Sequence, residues 1–195
     1  MSFQINKYQV IKKAVSYDLA NFIFNYFLLK RDAVNFMYKN NIIAENSLFG
    51  TWKDQQVPNV YSHYADFAME TLLMKVMPIM MKETGLNLIP TYSYARIYEK
   101  GSVLAKHKDR PSCEISTTLN LGGDPWAIYL EGIKVDLEPG DMLVYSGCEL
   151  EHWREEFQGN VCAQVFLHYN HVNGQFADSN LYDKRPLLGI PPLRK

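Results

Sequence analysis

The chain has 195 residues, a formal net charge of −1 and 13% aromatic residues, a size that suits one domain with a substantial core. With so little net charge and no massed basic stretch, composition argues against nucleic acid as the partner. Three cysteines without CxxC spacing, Cys113, Cys148 and Cys162, exclude a disulfide framework, while the absence of a signal-type leader or of 18 uninterrupted apolar residues points to a cytoplasmic protein with no membrane segment.

In chain order, residues 8–15 read as a lead-in strand. Ser16 or Asp18 then caps a helix running to about Lys39, with Leu19, Phe22, Ile23, Tyr26, Phe27 and Leu28 on one apolar face. A loop over 40–58 carries Gly50, Trp52 and Gln55-Gln56. Residues 64–84 form a second helical pattern, in which a methionine-rich stripe reads as adaptable core and Gly85 as the stop. Pro78 should kink or split that helix. His63, at its start, reads as a surface or capping residue.

From Pro90 the apolar period shortens to two. Strands are expected at 92–98, 114–121, 127–130, 133–137, 141–145, 152–157 and 161–169, separated by Gly and Pro turns. The tail, 173–195, contains Pro186, Pro191 and Pro192 and reads as loose. Short basic runs, Lys12-Lys13, Lys30-Arg31, Lys184-Arg185 and Arg194-Lys195, read as solvated surface. The expected fold is mainly β with N-terminal helices: a double-sheet jelly roll, cupin-like, over about 90–170, buttressed by helices over about 16–86 in a single domain.

Within that frame His107 and Asp109 stand two apart, so on a strand they face the same way. His152 follows the turn Pro139-Gly140-Asp141 and its short apolar strand. Two imidazoles and a carboxylate form the set that leaves open positions on Fe(II). His168 and His171, around the end of the last strand, read as accessory groups near the barrel mouth. Cys148 is set aside as a ligand, since a thiolate suits softer metals.

These residues resemble the Fe(II)- and 2-oxoglutarate-dependent dioxygenase superfamily, most closely its prolyl-4-hydroxylase-like branch. The match covers about 92–169: Tyr98-Glu-Lys-Gly101 leads to His107-Lys108-Asp109, Pro139-Gly140-Asp141 leads to His152, and Gly159 follows. The resemblance implies a double-stranded β-helix with iron held by His107, Asp109 and His152. It also implies 2-oxoglutarate chelating that iron near Tyr98, O2 as second cosubstrate, and a place for ascorbate. One departure stands out. Where the family has an Arg or Lys after the distal histidine to meet the far carboxylate of 2-oxoglutarate, this chain has Val161, Cys162 and Ala163.

A buried dicarboxylate needs a cation or several donors. Arg154, two residues after His152, is the first candidate, then Arg96 on the face of Tyr94 and Tyr98, then Arg110, which could equally orient substrate. Asn120 and Gln164 could add neutral hydrogen bonds. Glu114 and Trp52 stand in the loops expected to rim the substrate site. The implied activity is hydroxylation of a peptidyl side chain or a small metabolite, coupled to decarboxylation of 2-oxoglutarate to succinate. A cupin-type metalloenzyme without 2-oxoglutarate and a non-enzymatic jelly-roll binding module remain as alternatives, and the oligomeric state stays open.

Overall fold

A computed structural model describes residues 3–44 and 48–191, apart from the side chain of Asp178. A short helix, α1 (Phe3–Asn6), leads into strand β1 (Tyr8–Ile11). The strand stops before Val15 because the backbone turns through Lys13, whose φ is 52°. Helix α2 (Tyr17–Lys39) starts at Ser16, whose hydroxyl accepts the Leu19 amide at 3.2 Å and satisfies one of the donors left over at a helix start. Ala20, Ile23, Phe27 and Val34 form its buried face. Phe22 is not part of that face; it is 70% exposed beside Leu29 and Phe36, because adjacent helical residues diverge by about 100°.

The second helical pattern divides. Tyr61–Tyr64 form an edge strand, β2, and helix α3 begins only at Phe67, running to Thr84. Asp66 caps α3 by accepting the Ala68 and Met69 amides at 2.9 and 3.2 Å, and Gly85 stops it at φ 69°. His63 is therefore neither a surface nor a capping residue: it is buried in β2, with Nδ1 3.2 Å from the Asp66 carboxylate. That carboxylate also pairs with Lys30, which removes Lys30 from the solvated surface. Pro78 lies on the exposed side of α3, where the carbonyl it leaves free can meet water, and the helix runs on through it. Met69, Leu72, Leu73, Val76 and Met80 enter the main core, each contributing roughly 1.5–3 kcal/mol by burial.

The remaining strands are β3 (Leu88–Glu99), β4 (Leu104–His107), β5 (Ile115–Gly123), β6 (Ile128–Leu130), β7 (Ile133–Val135), β8 (Met142–Ser146), β9 (His152–Arg154) and β10 (Val161–His171). They form two antiparallel sheets, ordered β1-β8-β5-β10-β3-β2 and β4-β9-β6-β7. Alternation along each strand sorts the larger sheet into two faces. On β10, Ala163, Val165, Leu167 and Tyr169 join the core beneath α2 and α3, while Phe166 and His168 line a cavity on the other side. Leu104, His107, Ile128 and His152 of the smaller sheet line the same cavity, which thus lies between the sheets.

After β10 the chain does not hang loose. Helix α4 (Ala177–Asn180) and the turn Leu181–Lys184 lead to Arg185, which is buried against Glu70 of α3 instead of standing in solvent. Pro192 and the pair Arg194-Lys195 lie outside the described residues. Among the described residues no helix is long and apolar enough to cross a membrane.

Candidate metal centre

Pairing of β4 with β9 sets His107 directly opposite His152, with ring centroids 4.2 Å apart. In each ring Nδ1 meets a backbone carbonyl two residues earlier, Ala105 at 2.8 Å and Leu150 at 3.0 Å. A carbonyl can only accept, so both Nδ1 atoms carry the proton and both Nε2 lone pairs are free. These Nε2 atoms lie 3.7 and 3.6 Å from Oδ1 of Asp109. That is too long for hydrogen bonds and suits three donors converging on a common ion.

Strand β4 ends at His107, so Asp109 comes to the centre from the loop beyond and not by alternation along a strand. Its amide donates to the Gly147 carbonyl at 2.9 Å. Its Oδ2 accepts from the Ser116 hydroxyl at 3.0 Å. Glycine is required at 147, because a Cβ there would collide with the Cys113 carbonyl and the Asp109 carboxylate. Ser116 also meets Nδ1 of His168 at 2.8 Å, placing that histidine behind the centre.

Electrostatics suit cation binding. Burial, then the neighbouring His152, lower His107 and keep it neutral. Burial alone would raise Asp109, yet His152, His168 and His107 outweigh it and hold the carboxyl below its ordinary value. Burial pushes the Cys148 thiol up to about 11, so it is no thiolate ligand near neutrality, and its Sγ donates to the Arg110 carbonyl. The cavity measures about 140 Å³. That is close to the roughly 150 Å³ known to admit a benzene-sized molecule.

The three arginines differ in their surroundings. Arg96 lines the cavity and pairs with Asp54 at 2.7 Å, with Gln56 at 2.6 Å and, more weakly, with the Tyr98 hydroxyl at 3.4 Å. Arg110 is clamped by Asp183 at 2.8 and 2.7 Å. Arg154 is 1% exposed and, among the described residues, meets only neutral groups: the Trp126 carbonyl at 2.5 Å, Thr118 Oγ1 at 3.5 Å and the Trp126 ring face at 4.9 Å. Among the same residues its Nε has no partner, and Arg154 is not one of the residues that line the cavity.

Tyr98 is fully buried with its ring against Trp126. Asn120 and Gln164 bond each other at 3.3 Å, Asn120 also donating to the Leu137 carbonyl and Gln164 accepting from Thr118. Glu114 accepts from Asn170 and the His171 amide, which places His171 beside it rather than at the three-donor centre. Trp52 packs on Tyr61 and Tyr38 and is not among the cavity's lining residues. Ser116, Asp54 and Asp183 escaped sequence reasoning: each acts on a partner that only the folded chain brings near.

No protein-family model and no curated protein sequence matches the chain. Solved structures do share its fold. A prolyl-4-hydroxylase from Pseudomonas putida is 15% identical, with 87% of this chain and 95% of that one covered at a TM-score of 0.64. HygX from Streptomyces hygroscopicus, in a structure with nickel and 2-oxoglutarate bound, is 11% identical over 89% and 86%, at 0.59. The α-ketoglutarate-dependent epimerase SnoN from nogalamycin biosynthesis is 11% identical over 99% and 90%, at 0.65. Because a hydroxylase, an epimerase and the carbocyclase SnoK all match, the fold selects no single branch. The chain therefore has the fold found in Fe(II)/2-oxoglutarate oxygenases, with a two-histidine, one-carboxylate cluster in the cavity between its sheets.

Proposed function

We propose that this chain is a single-domain Fe(II)- and 2-oxoglutarate-dependent oxygenase whose two sheets close as a double-stranded β-helix. The observation that carries the reading is the donor set itself: His107, Asp109 and His152, with free Nε2 lone pairs and a carboxylate, within 4.8 Å of one another. A ferrous ion held there would supply the redox chemistry that couples O2 and a keto acid to oxidation of a substrate C–H bond. The Nδ1 bonds to Ala105 and Leu150 keep both rings aimed and in the metal-binding tautomer. Ser116 orients Asp109.

Arg154 favours a dicarboxylate cosubstrate over the metal-only, cupin-type alternative. A buried guanidinium without a counter-charge is costly, and the far carboxylate of 2-oxoglutarate would complete it. Arg96 and Arg110 already have carboxylates, and we assign them to shaping the site. Leu104, Ile128 and Phe166 present an apolar lining that excludes water from the reacting groups. Tyr98 is assigned to the cosubstrate side. We propose hydroxylation as the outcome, with a peptidyl side chain or small metabolite as substrate. Three free thiols suit the cytoplasm.

The test is anaerobic Fe(II) titration followed by measurement of succinate formed from 2-oxoglutarate in air, with ascorbate as reductant. Wild type binds iron and releases succinate, while His107→Ala loses at least about a hundredfold in metal affinity. An iron-loaded protein that neither binds 2-oxoglutarate nor forms succinate sinks the oxygenase and leaves the cupin-type reading. Failure to bind any metal leaves the non-enzymatic module.

A further inference from the structure

The turn Leu181–Lys184 holds three consecutive non-glycine residues in left-handed conformation: Tyr182, Asp183 and Lys184, at φ 49°, 55° and 63°. Such residues cost roughly 1–2 kcal/mol each, so contacts elsewhere must hold the turn. The Asp183 carboxylate accepts from both terminal nitrogens of Arg110 at 2.8 and 2.7 Å, from Ser112 Oγ at 2.7 Å and from the Tyr64 hydroxyl at 2.7 Å. Docking of the segment itself has a separate anchor. Arg185 bonds Glu70 at 2.8 Å, the Thr91 carbonyl at 3.0 Å and the Ile190 carbonyl at 2.8 Å. The clamp on Arg110 is therefore additional to what fastens the strap.

What Asp183 holds leads back to the metal centre twice. Along the backbone, Arg110 adjoins Asp109. Through space, the Arg110 guanidinium covers the Tyr92 ring at 4.6 Å, Tyr92 packs on His168 at 4.5 Å, and His168 meets Ser116, which bonds Asp109. Both routes end on the same carboxylate. We propose that Asp183 is a positioning residue of the metal centre: by clamping Arg110 it fixes the loop that presents Asp109 and the Tyr92 wall of the cavity. The proposal rests on the metal-binding reading of His107, Asp109 and His152, and it makes the C-terminal strap part of the site.

Ni(II) titration, the Co(II) absorption spectrum and amide hydrogen exchange are measured on wild type, Asp183→Asn, Arg110→Ala and the double variant. Asp183→Asn weakens Ni(II) binding about tenfold, shifts the Co(II) bands and speeds exchange across 108–113, while Arg185 keeps 185–190 protected. The double variant binds no more weakly than Arg110→Ala alone, since Asp183 acts through Arg110. Ser112→Ala, which removes a hydroxyl bonded to Asp183, Arg110 and Asn180 but no charge, gives a smaller effect of the same sign should Asp183→Asn fold poorly. Nickel affinity equal to wild type, or additive losses in the double variant, overturns the proposal. A wild type that binds no nickel defeats the metal reading instead. Exchange then still judges the clamp: unchanged rates across 108–113 in Asp183→Asn refute it.

Discussion

Two kinds of arginine neighbourhood occur near the metal centre, and of the three arginines only Arg96 lines the cavity. Arg96 and Arg110 each receive a carboxylate from a segment outside the strands that carry the centre: Asp54 from the loop before β2, and Asp183 from the C-terminal strap. Burial lowers both guanidinium groups, but Tyr98 and then Asp54 around Arg96, and Asp183 and then Tyr92 around Arg110, more than restore them. At Arg154 burial outweighs the upward pull of Cys162, Tyr98 and Tyr145 and leaves the group below its ordinary value. It still carries its proton at any working pH, so desolvation creates a demand for an anion rather than a neutral side chain. The chain supplies a carboxylate to two of these three guanidinium groups and none, among the described residues, to the deepest one.

Removing the wrong arginine should therefore damage the protein, and removing the right one should damage only binding. Arg96→Met strands Asp54, whose side chain is 6% exposed, and is expected to cost roughly 3–5 kcal/mol in denaturant unfolding. Its 2-oxoglutarate affinity should stay within a few-fold of wild type. A variant that keeps its stability and loses 2-oxoglutarate would transfer the cosubstrate role from Arg154 to Arg96.

Acid probes another uncompensated interior group. Burial takes His168 down to about 4, with Arg110 and His152 adding to burial and Asp109 opposing it. Between its ordinary 6.5 and about 4 the unfolded chain binds the proton and the folded one does not. Stability of the metal-free protein should thus fall as pH drops through that window, by roughly 3 kcal/mol in total. His168→Gln should flatten the slope, and an unchanged slope would assign the acid loss elsewhere.

Arg154→Met sharpens the contrast from the other side. Losing a charge-assisted contact worth about 1.5–3 kcal/mol should weaken 2-oxoglutarate roughly 10- to 100-fold, read by titration of the nickel-loaded protein. Metal affinity should hold, and stability should hold or rise, because an unpaired buried charge has gone.

How far these features were legible beforehand follows from the distance between partners. His107-x-Asp109 and the turn before His152 are local patterns, and so are the Ser16 cap and the Gly85 stop. Arg154 was reachable by strand parity, since β9 carries it two residues past His152. By contrast, Tyr61–Tyr64 becomes a strand only by pairing with β3, which drags His63 inside. The strap was illegible for the same reason: Asp183 and Arg110 are 73 residues apart, Arg185 and Glu70 are 115 apart, and a proline-bearing tail gives no local sign of either bond. Even Asp109 reached the centre by a loop tied to Gly147, where strand parity had stood in for the true cause.

The smallest expected effect separates a neighbour of the deep cation from a ligand-binding group. Gln164 accepts from Thr118 at 3.2 Å and donates to Asn120 at 3.3 Å, and Thr118 Oγ1 accepts from Arg154 at 3.5 Å. Gln164→Leu removes both bonds and the weaker one it donates to Cys162 Sγ at 3.2 Å, yet Thr118 keeps the Arg154 contact and Asn120 keeps the Leu137 carbonyl. Loss of stability should be about 1 kcal/mol, with 2-oxoglutarate affinity changed less than about threefold, since no charge is removed. If Gln164→Leu instead weakens 2-oxoglutarate as much as Arg154→Met, the amide touches the ligand directly. The anion would then be held by a shared set of donors along β9 and β10, and the single unpaired guanidinium would no longer explain its binding.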